Sequence, residues 1–118
     1  MILLDTNQIM ISNLFAIKGQ KFDSELLMLN DIRHAVLKGI LYYESRFKNR
    51  FGDMVLCYDS RNYWRTKQFP YYKANRKKKQ KYDGINWHRI YGLFSTIREE
   101  IKDSLPYITM HIETVEAD

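Results

Sequence analysis

Three short runs that predict strands, two of them wholly apolar and each followed by acidic residues, constrain the fold of this chain more than any other feature. They occupy residues 1–4, 54–58 and 107–112. The first run shows no alternation of apolar and polar residues, which predicts a strand buried on both faces, as is typical of a parallel sheet. Helical patterns separate the three runs, so the sequence predicts an α/β fold with a parallel sheet in one domain of 118 residues.

Two long helices are predicted between the runs, because apolar residues recur there at gaps of three and four. The first is predicted to begin after Ser24 and to end at Gly52, and the second to begin after Asn86 and to end before Pro106. Shorter helical segments are predicted from Thr6 to about Ile17 and from Pro70 toward Lys79. The apolar stripes comprise Leu29, Ile32, Val36, Ile40, Tyr43 and Phe47 in the first long helix, and Trp87, Ile90, Phe94, Ile97, Ile101 and Leu105 in the second.

A basic and aromatic stretch, residues 61–81, follows the second strand. It holds nine Lys and Arg residues, no acid and five aromatic rings, whereas the whole chain has a net charge of only +5. The rest of the chain is therefore net negative, and the basic character is local. Cations interleaved with aromatic rings suit single-stranded or frayed nucleic acid, because phosphates and base faces are then both recognised. A merely solvated basic loop is the alternative.

Acidic residues stand at or soon after the carboxyl end of each predicted strand: Asp5, Asp59, and the pair Glu116 and Asp118. Ligands of open parallel sheets bind outside the carboxyl ends of the strands, so these acids are expected to converge. Clustered carboxylates repel one another unless a cation lies between them, and Mg²⁺ or Mn²⁺ is the natural partner. A single Asp after a strand is, however, often only an N-cap or turn residue.

The remaining reactive residue types suggest no other chemistry. Cys57 is the only cysteine, which excludes an internal disulfide and a Cys-based zinc site, and it is interpreted as an inert core residue. His34, His88 and His111 lack metal-ligand spacing and are interpreted as structural or surface residues. No signal peptide and no membrane span are predicted, so a reducing, cytoplasmic setting is expected.

The segment NYWRTKQFPYYKANR, after a strand that ends at Asp59, and the terminal PYI…ETVEAD resemble the 5′-nuclease (flap endonuclease-like, PIN-like) family. The similarity is greatest to the ribonuclease H branch of T-even-like bacteriophages. It covers essentially all 118 residues, but only the N-terminal part of a family member. The resemblance implies a partial N-terminal 5′→3′ exonuclease domain over 1–118, with the element order β-α-α-β-arch-α-β, an incomplete sheet and a helical arch at about 61–82.

The resemblance also implies roles for individual residues. Asp5, Asp59, Glu116 and Asp118 match acids of the family's two-metal site, which binds Mg²⁺ or Mn²⁺. Lys73 and Arg76 match basic residues near the scissile phosphate, and they share one helix face by their i, i+3 spacing. The nucleic-acid-binding residues implied are Arg61, Tyr63, Trp64, Arg65, Lys67, Tyr71, Tyr72, Lys73, Arg76, Lys77, Lys78 and Lys79.

The implied activity is metal-dependent hydrolysis at the 5′ end of a flap, an RNA·DNA hybrid or a single strand, as in primer removal during phage DNA replication. The family has further carboxylates and a duplex-binding element beyond the part that this sequence matches. We therefore expect an N-terminal piece, from a truncated or split reading frame or a fragment, with a weakened metal site and little or no activity alone unless a second chain completes it. A phage-encoded protein of this kind would act in the host cytoplasm.

Two rival functions remain open at this point. The first is a non-catalytic nucleic-acid-binding module, in which the missing ligands mean that the chemistry is lost. The second is a toxin-like RNase of the related PIN fold, against which the long basic arch argues.

Overall fold

The structure, a computed structural model, describes residues 1–16, 25–60, 64–69, 71 and 86–117. Within them the chain forms three strands and four helices in alternating order. The elements are β1 (Ile2–Asp5), α1 (Thr6–Ala16), α2 (Glu25–Phe51), β2 (Met54–Tyr58), α3 (Trp64–Gln68), α4 (Trp87–Ser104) and β3 (Ile108–His111). The predicted α/β class is confirmed.

The strands form one parallel sheet in the order β1-β2-β3. Ile2 pairs with Met54 and Asp5 with Cys57, while Val55 pairs with Ile108 on the other side of β2. All three strands therefore end at the same edge of the sheet, and β2 lies in the centre. This register brings residues that are more than fifty positions apart in the sequence to that edge.

The helices cover one face of the sheet. Alternate residues of β2, Met54, Leu56 and Tyr58, lie in the hydrophobic core, together with Leu4 of β1. The helices contribute Met10 and Leu14 from α1, Ile32, Val36 and Ile40 from α2, and Ile90, Leu93, Phe94, Ile97 and Ile101 from α4. Both crossovers step in the same direction across the sheet, and right-handed crossovers then place their helices on the same face.

The prediction that β1 is buried on both faces was wrong. Leu3 is 62% exposed, while its neighbour Leu4 is 9% exposed. β1 is an edge strand among the described strands, and no described helix packs on its second face. Only central β2, whose five residues are all buried, has the double-sided burial that a uniformly apolar run indicates.

Helix ends follow the local signals where the structure describes them. Asn86 caps α4, since its Oδ1 accepts a hydrogen bond from the Arg89 N–H at 3.2 Å. α2 ends at Phe51, and Gly52 follows with a φ of +83°, a left-handed conformation that favours glycine. The predicted helix from Pro70 toward Lys79 and the cap at Ser24 lie outside the described residues. None of the described helices combines the length and apolarity that crossing a membrane requires.

Candidate active site

Asp5 is the last residue of β1 and also caps the helix that follows. Its Oδ1 accepts a hydrogen bond from the Gln8 N–H at 3.1 Å, the usual geometry of an N-cap carboxylate. Thr6, the first residue of α1, is fully buried, and its hydroxyl donates to the Leu4 carbonyl. The side chain of Asp5 is thus fixed at the carboxyl end of the sheet by the turn between β1 and α1.

Asp59 follows β2 and is tied to both neighbouring segments. Its Oδ1 accepts a hydrogen bond from the Ala117 N–H at 2.7 Å, and its own N–H donates to Asn7 Oδ1 at 3.4 Å. Because Asp5 pairs with Cys57, two residues before Asp59, the Cα atoms of the two acids lie on the order of 8 Å apart by strand geometry. Both carboxylates therefore lie at one edge of the sheet.

The acidic segment, residues 113–117, folds back against the end of β2 through backbone contacts. Ser60 is buried; its N–H donates to the Val115 carbonyl at 3.0 Å, and its Oγ accepts from the Thr114 N–H at 3.1 Å. The Thr114 carbonyl accepts from the Trp64 N–H at 3.0 Å. Thr114 has a φ of +69°, which is strained for a β-branched residue. These bonds hold that strained turn in place and fix the segment that carries the third group of acids.

Glu116 points into the protein and pairs with a residue of the basic stretch. Its side chain is 3% exposed, and its Oε2 accepts from Arg65 Nη1 at 2.5 Å. The Arg65 guanidinium also lies 5.4 Å from the centroid of the Trp64 ring. A buried carboxylate is stable only when it is paired or hydrogen-bonded, and Arg65 supplies such a partner for Glu116. This contact joins α3 to the acidic segment.

We call Asp5, Asp59 and Glu116 the strand-end site. Their oxygen donors have the chemistry that Mg²⁺ and Mn²⁺ prefer. In the part of the chain that the structure describes, however, no three His, Cys, Asp or Glu side chains are close enough to hold a metal ion together. Asp118, the fourth predicted ligand, lies outside the described residues.

Four of the predicted nucleic-acid-binding residues lie among the described residues. Trp64 is 45% exposed, Tyr71 is 92% exposed and Lys67 is exposed, whereas Arg65 is only partly exposed and turned toward Glu116. The other predicted contacts lie outside the described residues: Arg61, Tyr63, Tyr72, Lys73, Arg76, Lys77, Lys78 and Lys79.

Sequence reasoning missed two residues that shape this site, Asn7 and Ser60. Asn7 connects the turn after β1 to the turn after β2, and Ser60 holds the acidic segment. Asn7 resembled an ordinary capping residue in the sequence, and nothing there linked Ser60 to residues more than fifty positions away. The only signal in the sequence was position, because each is a short polar residue two positions after the end of an apolar strand.

Burial keeps the two last residues of β2 in their neutral forms near pH 7. It raises the pKa of the Tyr58 phenol to about 12, and it raises the pKa of the Cys57 thiol, with a further contribution from the negative charge of Asp5. Neither side chain therefore supplies a nucleophile or a base at the strand-end site. Cys57 is a buried residue, as predicted.

Comparisons with known proteins bear on the family of this chain. No protein-family model matches the sequence. The chain is 32% identical over 99 residues to the ribonuclease H of enterobacteria phage T4, and the match covers 81% of this chain. The chain spans about a third, 32%, of the length of that curated relative. It is therefore related to the 5′-nucleases, through the N-terminal part of such a protein.

Proposed function

We propose that this chain forms the N-terminal part of a metal-dependent 5′-nuclease that hydrolyses phosphodiester bonds near the 5′ end of a flap or an RNA·DNA hybrid. The related phage protein is named a ribonuclease H. The α/β architecture with a parallel sheet is compatible with a PIN-like nuclease domain. Residues 1–118 then constitute a partial 5′→3′ exonuclease domain, in which a basic arch at about 61–82 overhangs the strand-end site.

The observation that carries this proposal is the hydrogen bond from the Ala117 N–H to Asp59. It ties the acidic segment to the end of β2, next to the strand that ends at Asp5. Acids from three separate parts of the chain are thereby brought to one edge of the sheet. Carboxylates at the carboxyl ends of neighbouring parallel strands lie where ligands of such sheets bind, which supports the proposal.

Asp5, Asp59, Glu116 and Asp118 are the residues that would hold a divalent cation at this edge. When bound, such an ion activates water and neutralises charge on a phosphodiester. The chain's own contribution is to fix the carboxylates: the α1 N-terminus orients Asp5, Ala117 orients Asp59, and Arg65 orients Glu116. Arg65 also competes with a metal ion for Glu116, so we expect the isolated chain to bind metal weakly.

The basic stretch supplies the nucleic-acid contacts in this proposal. Lys73 and Arg76 neutralise the phosphate that is cut, and Lys77, Lys78 and Lys79 add nonspecific affinity for the backbone. The exposed rings of Trp64 and Tyr71 are available for stacking on bases.

One observation favours a second candidate function, a nucleic-acid-binding module without catalysis. Among the described residues no group of three potential metal ligands exists. If Asp118 does not complete the set, the chain retains a basic surface for nucleic acid but no site for hydrolysis.

A flap-cleavage assay with an Asp59 variant tests the proposal. Asp59→Asn keeps an amide oxygen that can accept the Ala117 hydrogen bond but removes the charge that a metal ion needs. The substrates are an end-labelled DNA 5′ flap and an RNA·DNA hybrid, with Mg²⁺ or Mn²⁺. The protein is the 118-residue chain, alone and with the polypeptide that corresponds to the rest of the phage relative. We expect cleavage at the 5′ end that Asp59→Asn lowers at least about 100-fold.

The control is Asp103→Asn, at an exposed residue of α4 away from the strand-end site. It should cleave as the unmodified chain does, and circular dichroism should show that both variants fold. Binding with a steep salt dependence but no cleavage under any condition would favour the non-catalytic module. Equal cleavage by Asp59→Asn would exclude the proposed site.

A further inference from the structure

The carboxyl-terminal half of α2 carries rings and guanidinium groups that the hydrophobic core does not use. The last buried residue of α2 is Ile40, and beyond it Tyr42 is 54%, Tyr43 37% and Phe51 46% exposed. α2 ends at Phe51, shortly before β2 begins, and the Met1 ammonium at the start of β1 donates to the Phe51 carbonyl. These groups therefore lie at the edge of the sheet opposite to the strand-end site.

The aromatic rings form a row along α2, because they recur at gaps of four residues. Tyr43 and Phe47 are stacked, with ring centroids 6.3 Å apart and an angle of 13° between the planes, and the Phe51 ring follows 6.2 Å beyond Phe47. Tyr42 packs edge-on against Tyr43, with centroids 5.3 Å apart. These contacts hold the rings in position, while much of the surface of Tyr42 and Phe51 remains accessible.

Two guanidinium groups lie against this row of rings. That of Arg46 is 5.9 Å from the centroid of Tyr42 and 5.7 Å from that of Phe47, and its Nη1 donates to the Tyr42 hydroxyl at 2.6 Å. That of Arg50 is 5.1 Å from the centroid of Phe51. Among the described residues neither forms an ion pair with a carboxylate. We call these residues the arginine–aromatic cluster: Tyr42, Tyr43, Arg46, Phe47, Arg50 and Phe51.

The helix dipole explains only part of this composition. Lys48 and Arg50 belong to the last turn of α2, where cations stabilise a helix, and Lys48 also pairs with Glu44 at 3.0 Å. Arg46 lies one turn earlier, and the dipole does not account for exposed rings. A contiguous exposed surface of this kind indicates a binding site.

Single-stranded nucleic acid is the ligand that fits the cluster best. Guanidinium groups pair with phosphates, and the faces of unpaired bases stack on aromatic rings. Arg46 and Arg50 are separated by about 6 Å along the helix axis, so both can contact phosphates of one strand. A duplex would present its phosphates but would keep its base faces inside the stack. An acidic peptide would match the arginines but need not supply planar groups for the rings.

We propose that the arginine–aromatic cluster is a second binding site for single-stranded nucleic acid. Arg46 and Arg50 contact phosphates, and the rings of Tyr42 and Phe51 stack on bases. The length of β2 separates this edge of the sheet from the strand-end site by roughly 17 Å, so the two sites are distinct. The proposal goes beyond the proposed function, because neither a metal ion nor the strand-end acids take part in this binding.

Photo-crosslinking locates the bound strand directly. The 118-residue chain is irradiated with a single strand that contains 5-iodouracil, and mass spectrometry identifies the modified peptides. We expect cross-links to Tyr42, Tyr43 or Phe51 in addition to any within residues 61–81. Cross-links confined to residues 61–81 would overturn the proposal.

Fluorescence anisotropy separates phosphate contacts from stacking, because an abasic strand of equal length keeps the phosphates and lacks the bases. All variants also carry Gln at residues 77–79, so that the basic stretch does not mask the cluster. Arg46→Gln/Arg50→Gln should reduce the slope of log K against log salt concentration by about 1.4 for both strands. Tyr42→Ala and Phe51→Ala should each weaken binding of the strand with bases about fivefold or more, and should leave binding of the abasic strand unchanged.

Lys38→Gln/Lys102→Gln is the matched control, because it removes two exposed cations outside the cluster. This variant should leave the slope unchanged, and circular dichroism checks that each variant folds. Equal slopes for the two double variants would overturn the proposal, as would ring variants that weaken both strands alike. Polyglutamate that binds as tightly as the strand, and loses affinity with the arginine variant, would assign the cluster to an acidic protein partner instead.

The outcome is independent of nuclease activity. Cross-links at the cluster in a chain that cuts no nucleic acid would support this inference while contradicting the proposed function. Cleavage that depends on Asp59, together with a cluster that binds no strand, would do the reverse.

Discussion

At the scale of single residues, the acids at the strand ends combine structural and proposed catalytic roles. Asp5 caps α1 and Asp59 accepts a backbone hydrogen bond from the acidic segment. The alternative interpretation, that an Asp after a strand is only an N-cap, therefore describes the hydrogen bond of Asp5 correctly. A carboxylate has two oxygens, so one hydrogen bond at Oδ1 is compatible with a ligand role.

The contact between Arg65 and Glu116 predicts that substitutions of the two residues lower stability by different amounts. The Glu116 side chain is 3% exposed and that of Arg65 is 36% exposed. Arg65→Met leaves the buried carboxylate without this guanidinium, whereas Glu116→Gln leaves a guanidinium that already reaches solvent. We expect Arg65→Met to lower the free energy of unfolding by about 2–4 kcal/mol and Glu116→Gln by clearly less. Urea denaturation of both variants measures the difference.

The double variant Arg65→Met/Glu116→Gln completes this experiment. It should be more stable than Arg65→Met alone, because no buried carboxylate then lacks the guanidinium. If the two substitutions are additive, the two side chains do not interact significantly, and the proposed orienting role of Arg65 is wrong.

Residue types at strand ends were predictable from the sequence, but their contacts were not. Asp5, Asp59 and Glu116 were identified because acids follow the predicted strands. The register places the ends of β1 and β2 at one edge, but among the described residues no three such side chains are close enough to hold a metal ion together. The contact between Arg65 and Glu116 was missed, and Arg65 was assigned to nucleic acid alone. The pattern of charges in a sequence shows which residues avoid the core. It does not show which of many oppositely charged residues a given side chain pairs with.

At the scale of elements, the apolar spacing predicted which helix residues form the core. Ile32, Val36 and Ile40 are fully buried, as their spacing indicated. Tyr43, further along the same stripe, is 37% exposed. Spacing identifies the face of a helix that packs inward, but it does not tell how far along the helix the packing continues.

The burial of β1 illustrates a second limit of sequence reasoning. Four consecutive apolar residues predict burial on both faces, and Leu3 contradicts this. The sequence of a strand reflects the complete sheet, whereas the helices that the structure describes cover only one face of it. The short helix α3 was also not predicted as a separate element, because five residues carry too little periodicity.

The connection between α2 and β3 predicts an effect of pH on stability. Tyr107 donates a hydrogen bond to Glu44 at 2.5 Å, and this bond, together with that from Lys48, lowers the pKa of Glu44 below its usual value of 4.5. Folding therefore favours the ionised carboxylate. The stabilisation is complete above the usual pKa and is lost as the pH falls through the lower pKa of the folded state.

Thermal unfolding between pH 6 and pH 3 tests this connection. We expect Tyr107→Phe to lower Tm by a few degrees at pH 6 and to match the unmodified chain more closely as the pH falls, because protonation of Glu44 removes the advantage of the ionised carboxylate. Glu113→Gln removes an exposed carboxylate without touching this bond and is the control. A Tm difference for Tyr107→Phe that does not change with pH would assign its effect to packing of the ring.

At the scale of the whole molecule, the positive charge of the sequence is concentrated in one stretch. Residues 61–81 hold nine Lys and Arg residues and no acid, whereas the whole chain has a net charge of +5. Substitutions in this stretch therefore test nucleic-acid binding without changing the acids of the strand-end site.

The basic stretch predicts the salt dependence of nucleic-acid binding. Each cation that contacts a phosphate of a single strand contributes about 0.7 to the slope of log K against log salt concentration. Replacing Lys77, Lys78 and Lys79 by Gln should therefore reduce the slope by about 2 if all three contact phosphates. Fluorescence anisotropy with a labelled 5′ single strand, at several salt concentrations, measures this slope.

A variant with the same change in net charge separates local contacts from general attraction. Lys38, Lys48 and Lys102 are exposed and lie outside the basic stretch, on α2 and α4. Replacing these three by Gln should leave the slope nearly unchanged, because they contact no phosphate. Equal reductions in the two triple variants would mean that the strand is attracted by the net charge of +5 and not bound along residues 61–81. The proposal that the basic stretch forms an arch over the strand-end site would then be wrong.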